Sequence, residues 1–156
     1  MDPQLRNPFA DRPDPADRGS EPARPSRLRA VARVALGGAL IFAGTTHLTV
    51  AREEFRAQVP PWVPLDVDDV VLLSGVAEIA LGSALAFLPR HRRRVGVVAA
   101  AFFVAIFPGN IAQLTEHRDG FGLDTDTKRA LRLLGQPLLV AWALWSTEAL
   151  RRGRRR

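Results

Sequence analysis

Between Val95 and Phe107 the chain runs for thirteen residues without a single polar side chain. A helix that is apolar on every side is either enclosed by protein or faces lipid. Crossing a hydrocarbon core takes about 20 apolar residues at a rise of about 1.5 Å each. Four blocks of that size stand in the sequence, at about 31–50, 70–88, 95–115 and 130–149. The first carries Arg33 and His47, the second only Glu78, the third no charge, and the fourth Arg132 and Glu148. A soluble four-helix bundle would need a polar stripe at helical period on each helix. The third block has none, and four such helices in 156 residues leave too little polar surface for a soluble fold. The sequence predicts an all-α, four-transmembrane-helix bundle.

Overall composition hides this, because 47% hydrophobic against 24% charged residues would suit a soluble domain. The two kinds of residue are segregated. Residues 1–29 are rich in Pro, Arg and Asp and predict a disordered arm, and 151–156 form a basic tail. The 29-residue polar leader is too long for a signal peptide, so the first block is expected to be retained. A net charge of +6 raises nucleic acid as a partner. The basic residues instead flank the apolar blocks without interleaved aromatics, and only one of the 22 is Lys, so no nucleic-acid partner is expected. Cysteine is absent, which excludes disulfides, thiolate metal sites and thiol catalysis by this chain.

Loop charges set an orientation. The segment Arg90-His91-Arg92-Arg93-Arg94 carries four Arg and no acid. Loop 51–69 carries two Arg against five acids, and loop 116–129 carries three basic residues against four acids. Both termini and the middle loop are therefore expected inside the cell, and the two longer loops outside. Trp62 in an outer loop, with Trp142 and Trp145 toward the inner end of the fourth helix, fits interfacial anchoring.

In that frame each helix brings a polar group to the outer half of the bilayer. His47 lies about 5 Å from the outer end of the first helix, and Glu78 about 12 Å below that of the second. Asn110 follows Pro108 near the outer end of the third, and Arg132 and Gln136 stack four residues apart in the fourth. Gly37 and Gly44 share a face with His47, as Gly75 and Gly82 do with Glu78, so both polar groups should face neighbouring helices. Pro108 is expected to kink its helix beside Asn110. The apolar, proline-stiffened stretch 51–65 is expected to lie over the cluster as an interfacial segment.

Two readings of the cluster compete. Buried ionisable groups mark a ligand site or proton path, with a Glu78–Arg132 pair offsetting charge and His47 exchanging protons. Alternatively the same groups are interhelical glue worth about 0.6 kcal/mol per hydrogen bond. Ser or Thr would fix register with less desolvation than Glu and Arg, which favours the ligand site. Arg33 is expected to snorkel to the inner interface. His91 and His117 stand as loop residues with no second ligand at metal spacing, and no metal site is expected.

The order of several stretches resembles the DoxX-like family of small four-helix membrane proteins. They are Ala43-Gly44 with His47, then Val59-Pro60-Pro61-Trp62-Val63-Pro64, then Ser74-Gly75-Val76-Ala77-Glu78. Val104 to Ile111, with Phe107-Pro108-Gly109-Asn110 at its centre, follows, and Arg132, Gln136 and Trp142 complete the set. Leu134 stands where the family usually has Pro, with Pro137 displaced, and Gly109 stands where Ala is commoner. The resemblance implies the fold more strongly than an activity. Some relatives look like membrane subunits of quinone-linked oxidoreductases or assemble with soluble redox enzymes, and others act as assembly factors.

The first expectation is a small-ligand site, with a quinone headgroup as the leading candidate cofactor. Arg132 would bond a quinone oxygen, His47 and Glu78 would exchange protons, and Asn110 and Gln136 would orient the ring. Whether the chain is itself an enzyme stays open; an accessory subunit of a quinone-linked oxidoreductase is the form an activity would take. The alternative is a non-enzymatic scaffold in a bacterial inner membrane, docking a soluble redox or stress-response partner, or anionic lipid, through its Arg-rich ends. A transporter is the third reading, and four short helices would then require a homo-oligomer.

Overall fold

The computed structural model describes residues 26–151. Residues 1–25 of the expected arm and 152–156 of the tail lie outside the described residues. Five α-helices follow in order: α1 Arg27–Leu48, α2 Arg52–Arg56, α3 Val67–Phe87, α4 Arg92–Thr115 and α5 Asp126–Ser146. A 3-10 turn at Pro89–His91 leads into α4, and there is no strand among the described residues.

The long helices begin three or four residues before the apolar blocks, because capping is polar. Ser26, Asp66 and Thr125 each accept a bond from a first-turn backbone N–H, satisfying donors that a helix start leaves free. Residues 27–29 thus open α1 and are not part of the arm. At the other end, Thr45, Thr46 and Thr49 turn their hydroxyls onto backbone carbonyls as α1 closes at Leu48. Both α4 and α5 continue through an internal proline, Pro108 and Pro137, each of which removes one helical N–H.

Chain direction alternates. The start of α1, the end of α3, the start of α4 and the end of α5 meet at one end of the bundle, as Arg29, Ala86, Arg92 and Glu148 attest. Packing is strongest within the pairs α1/α3 and α4/α5. Glycines set the first pair. A Cβ at Gly37 would meet the Gly82 carbonyl at 2.7 Å, and one at Gly44 would meet that of Gly75 at 2.5 Å. The reciprocal substitutions meet the same backbones, so the two helices touch main chain to main chain at two points. At the start of α4, a Cβ on Gly96 would collide with the Thr147 side chain. Leu36, Leu40, Leu85, Ala99, Ala100, Phe103 and Ala143 form the core between the pairs. Trp142 ties α5 to α1 by donating to the Ala32 carbonyl at 2.9 Å.

Among the described residues three helical stretches are long and apolar enough to cross a membrane: Arg27–Leu48, Val67–Phe87 and Pro89–Thr115. The fourth long helix, α5, is 21 residues long but starts with Asp126, Lys128, Arg129 and Arg132. Large apolar side chains lie exposed around the outside, among them Val31, Phe42, Leu73, Val76, Val98 and Val104. On α5 the exposed ones are Leu131, Leu134, Leu138 and Trp145, which share one face at helical spacing.

Candidate functional site

His47, Glu78, Asn110, Arg132 and Gln136 all line one cavity of about 500 Å³. The four long helices each contribute, and the loops after α1 and α4 cover it with Phe55, Gln58, Val59, Trp62, Val63 and Phe121. The close approach of α1 to α3 fixes its first wall. Gly44 and Gly75 sit one turn from His47 and Glu78, and a Cβ on Gly75 would strike the His47 Cβ at 2.8 Å. His47 Nδ1 stands 3.2 Å from Glu78 Oε2 and 2.8 Å from the Ala43 carbonyl. A carbonyl only accepts, so Nδ1 carries a proton and Nε2 is the ring nitrogen whose protonation can vary.

Glu78 therefore pairs with His47, where the sequence suggested Arg132. Arg132 has no carboxylate within ion-pair distance among the described residues. Its guanidinium instead sits 4.9 Å from the centre of the Phe121 ring, a cation–π contact. The reason is loop 116–125, which carries an aromatic ring into the mouth of the cavity. Phe121 meets Phe55 edge-on at 4.5 Å, and Phe55 stacks on the His47 imidazole at 3.2 Å. A row of rings ending in one guanidinium thus runs along the cavity from His47 to Arg132.

Phe121 is held there at a cost. Its φ of 56° lies in the left-handed region, which a bulky side chain rarely adopts. Its N–H donates to Glu54 Oε2 at 2.6 Å, which helps to hold the turn. Arg118 donates to the Val59 carbonyl at 2.8 Å and ties the two covering loops together. Arg129, almost fully buried, anchors the second loop through the Arg118 carbonyl, Asp119 and Asp126. Gly109 of α4 lets the Gln58 carbonyl come so close that a Cβ there would collide with it.

Within this cover His47 and Glu78 lie in contact, but several polar atoms receive no hydrogen bond. Glu78 Oε2, Asn110 Oδ1, Gln136 Oε1 and Gln58 Nε2 are buried without a hydrogen bond. Burying such a group unpaired costs about 1–3 kcal/mol, so a cluster of them beside a cavity is poised for groups from outside the chain. Asn, Gln and Arg can donate to a carbonyl-type oxygen, and Glu78 and the amide oxygens can accept from a hydroxyl. No group of three His, Asp or Glu side chains able to hold a metal ion occurs among the described residues.

Sequence reasoning missed Gln58, Gln113, Phe121 and Arg129. Gln113 was findable, one turn beyond Asn110 on the same face; it is buried with Nε2 unpartnered. The others act through loop geometry that periodicity does not encode. The opposite end of the bundle holds a second buried polar cluster. Glu148 is buried with φ 57° and receives Arg29 at 2.7 Å, Arg151 at 2.9 Å and Arg92 at 3.2 Å. Burial opposes its ionisation, but the hydrogen bonds from Arg29 and Arg92 and the nearby charges outweigh it and hold the carboxyl below its usual range. Arg33 does not snorkel outward: it is buried and donates to the Ala86 carbonyl at 3.3 Å, because the last carbonyls of α3 lack helical partners.

Fold and site together define an all-α protein with three helices able to cross a membrane and a covered polar cavity at one end of the bundle. The chain belongs to the family described as Domain of unknown function (DUF8561), which matches residues 20–147. No curated protein and no solved structure matches it.

Proposed function

We propose that the chain is a four-span protein of a bacterial inner membrane whose outer-leaflet cavity binds a small ligand, with a quinone headgroup as the leading candidate. The observation that carries this reading is the set of polar atoms without a hydrogen bond on Glu78, Asn110, Gln136 and Gln58 around a cavity of about 500 Å³. Interhelical glue would have paired Asn110, Gln136 and Gln58 with each other, whereas of the four only Glu78 has a polar partner of that kind, His47. Treating α5 as the fourth span rests on its faces: Leu131, Leu134, Leu138 and Trp145 point outward, while Arg132 and Gln136 line the cavity. The basic end of the bundle, with Arg90, Arg93 and Arg94 exposed and no acid among them, belongs on the cytoplasmic side. Resemblance to DoxX-like proteins favours the same ligand class.

In this reading Arg132 and the Gln58 amide N–H donate to the ligand's oxygens, and the Asn110 and Gln136 amide oxygens orient it by accepting from a ligand hydroxyl. His47 and Glu78 take up and release protons there, with the aromatic cover excluding water. Electrons would come from a soluble redox partner, since the chain has no cysteine to carry them. The test is to purify the full chain in mild detergent and weigh the extracted lipid-soluble molecules by mass spectrometry, for wild type and Glu78→Gln. Stoichiometric quinone in wild type, lost from a still-helical variant, is the expected result. Absence of quinone from both would remove the proposal.

A second reading rests on that exposed arginine cluster. A scaffold would use Arg90, Arg93 and Arg94 to dock an acidic soluble partner. Charge reversal at these three positions would then abolish co-purification of the partner while leaving the cavity's content unchanged.

A further inference from the structure

A second concave surface runs along the outside of the α4/α5 seam, with a volume of about 760 Å³. Val104, Phe107, Pro137, Val140, Ala141 and Leu144 form its apolar floor and walls. It extends from Gln136 at mid-bundle to Arg29, Trp145 and Arg151 at the basic end. Gln136 and Trp145 are nine residues apart on one helix, so the groove is about 14 Å long at 1.5 Å per residue. One leaflet of a hydrocarbon core about 30 Å thick has that depth.

Charge at its end is one-sided. Glu148 is the single acid, and both of its oxygens are taken: Oε1 by Arg29 and Arg151, Oε2 by Arg92. Three guanidinium groups face one buried carboxylate, which leaves an excess of positive charge where the groove reaches the interface. Arg151 remains more than half exposed, with side-chain exposure of 57%. Arg29 lies 5.7 Å from the Trp145 ring, the pairing of cation and indole expected at headgroup level.

We propose that this groove is a specific site for one anionic glycerophospholipid of the inner leaflet, with an acyl chain along α4/α5 and the phosphate on Arg29 and Arg151. Bulk lipid contact would need neither a leaflet-length groove nor surplus cations at its mouth. The inference rests on the membrane placement and orientation proposed above; the groove meets the outer cavity only at Phe103 and Gln136, and its phosphate end at Arg29 and Arg151 is remote from that cavity.

The test is native mass spectrometry of the full chain released from nanodiscs containing equal phosphatidylglycerol and phosphatidylcholine of identical acyl chains. Wild type should retain one phosphatidylglycerol in preference to phosphatidylcholine. Arg151→Gln should lower that preference roughly fivefold, as expected for about 1 kcal/mol per arginine at an anionic surface. Ala141→Phe, which fills the groove and leaves every charge in place, should abolish retention of either lipid in a chain of unchanged helical content. Equal retention of the two lipids by wild type would overturn the proposal without any variant. Undiminished retention by a folded Ala141→Phe chain would also overturn it.

Discussion

Replacing Gly44 with alanine should separate α1 from α3 and disturb the candidate site from behind. The new methyl would lie 2.5 Å from the Gly75 carbonyl oxygen, 2.8 Å from Ile79 Cγ1 and 3.0 Å from Glu78 Cβ. Ordinary contact begins at 3.4 Å, so the methyl falls about 0.9 Å short, and its nearest neighbour is backbone that cannot rotate away. Overpacking of this kind costs about 1–3 kcal/mol. Alanine also gains up to about 1 kcal/mol over glycine within a helix, which would blur a single measurement. Gly38 supplies the control, because it lies in the same helix and a Cβ there meets nothing within 4 Å. Both variants share the propensity gain, so the difference between them isolates the overpacking at about 1–3 kcal/mol. Denaturant unfolding in micelles, followed by circular dichroism, reads that difference. Equal stabilities for the two variants would refute the claim that backbone contact at Gly44 positions the α1/α3 pair.

Two further outcomes follow from the cover and from the basic end. Phe121→Gly relieves a left-handed residue worth about 1–2 kcal/mol and loses an aromatic pair worth about 0.5–1.5 kcal/mol and the Arg132 cation–π contact, worth about 0.5–1 kcal/mol. Its stability should therefore stay within about 1.5 kcal/mol of wild type, while a ligand held in the cavity as proposed dissociates faster in a filter-retention assay; unchanged dissociation would show that the ring does not guard the mouth. Glu148 has a folded pKa below its ordinary value of 4.5. Its contribution is present above that value and lost as pH falls through the lower folded one. Melting temperature should thus drop below about pH 4.5, and Glu148→Gln should flatten part of that drop; an unchanged acid profile would mean the three arginines do not depend on its charge.

How much of this was legible in the chain depends on which forces act over short spans. The apolar runs that fill α1, α3 and α4 dictate long helices directly, and the small faces Gly37/Gly44 and Gly75/Gly82 announce where backbones meet. From the same periodicity His47, Glu78, Asn110, Arg132 and Gln136 could be assigned to facing surfaces, and the structure brings them to one cavity. Pairing within the set was not legible. It depends on loop 116–125, which carries Phe121 to within 4.9 Å of the Arg132 guanidinium, and on the α1/α3 contact that brings His47 to Glu78. Arg129 hides for a similar reason: it stands among other charges at a helix start, and only the fold turns it inward to bond the Arg118 carbonyl. Glu148 stood in the sequence as one acid near a helix end, while its partners Arg29 and Arg92 are more than fifty residues away along the chain.

The two glycine contacts between α1 and α3 are seven residues apart on both helices, Gly37 to Gly44 and Gly75 to Gly82. This spacing works as a ruler. One residue inserted between Gly44 and His47 would rotate everything beyond it by about 100°, carrying the imidazole away from Glu78 while both contacts stayed seated. One residue inserted between Gly37 and Gly44 would break a contact as well. Length variation among related chains should therefore collect in the two covering loops and be absent from the stretch Gly37–His47 and its counterpart Gly75–Gly82.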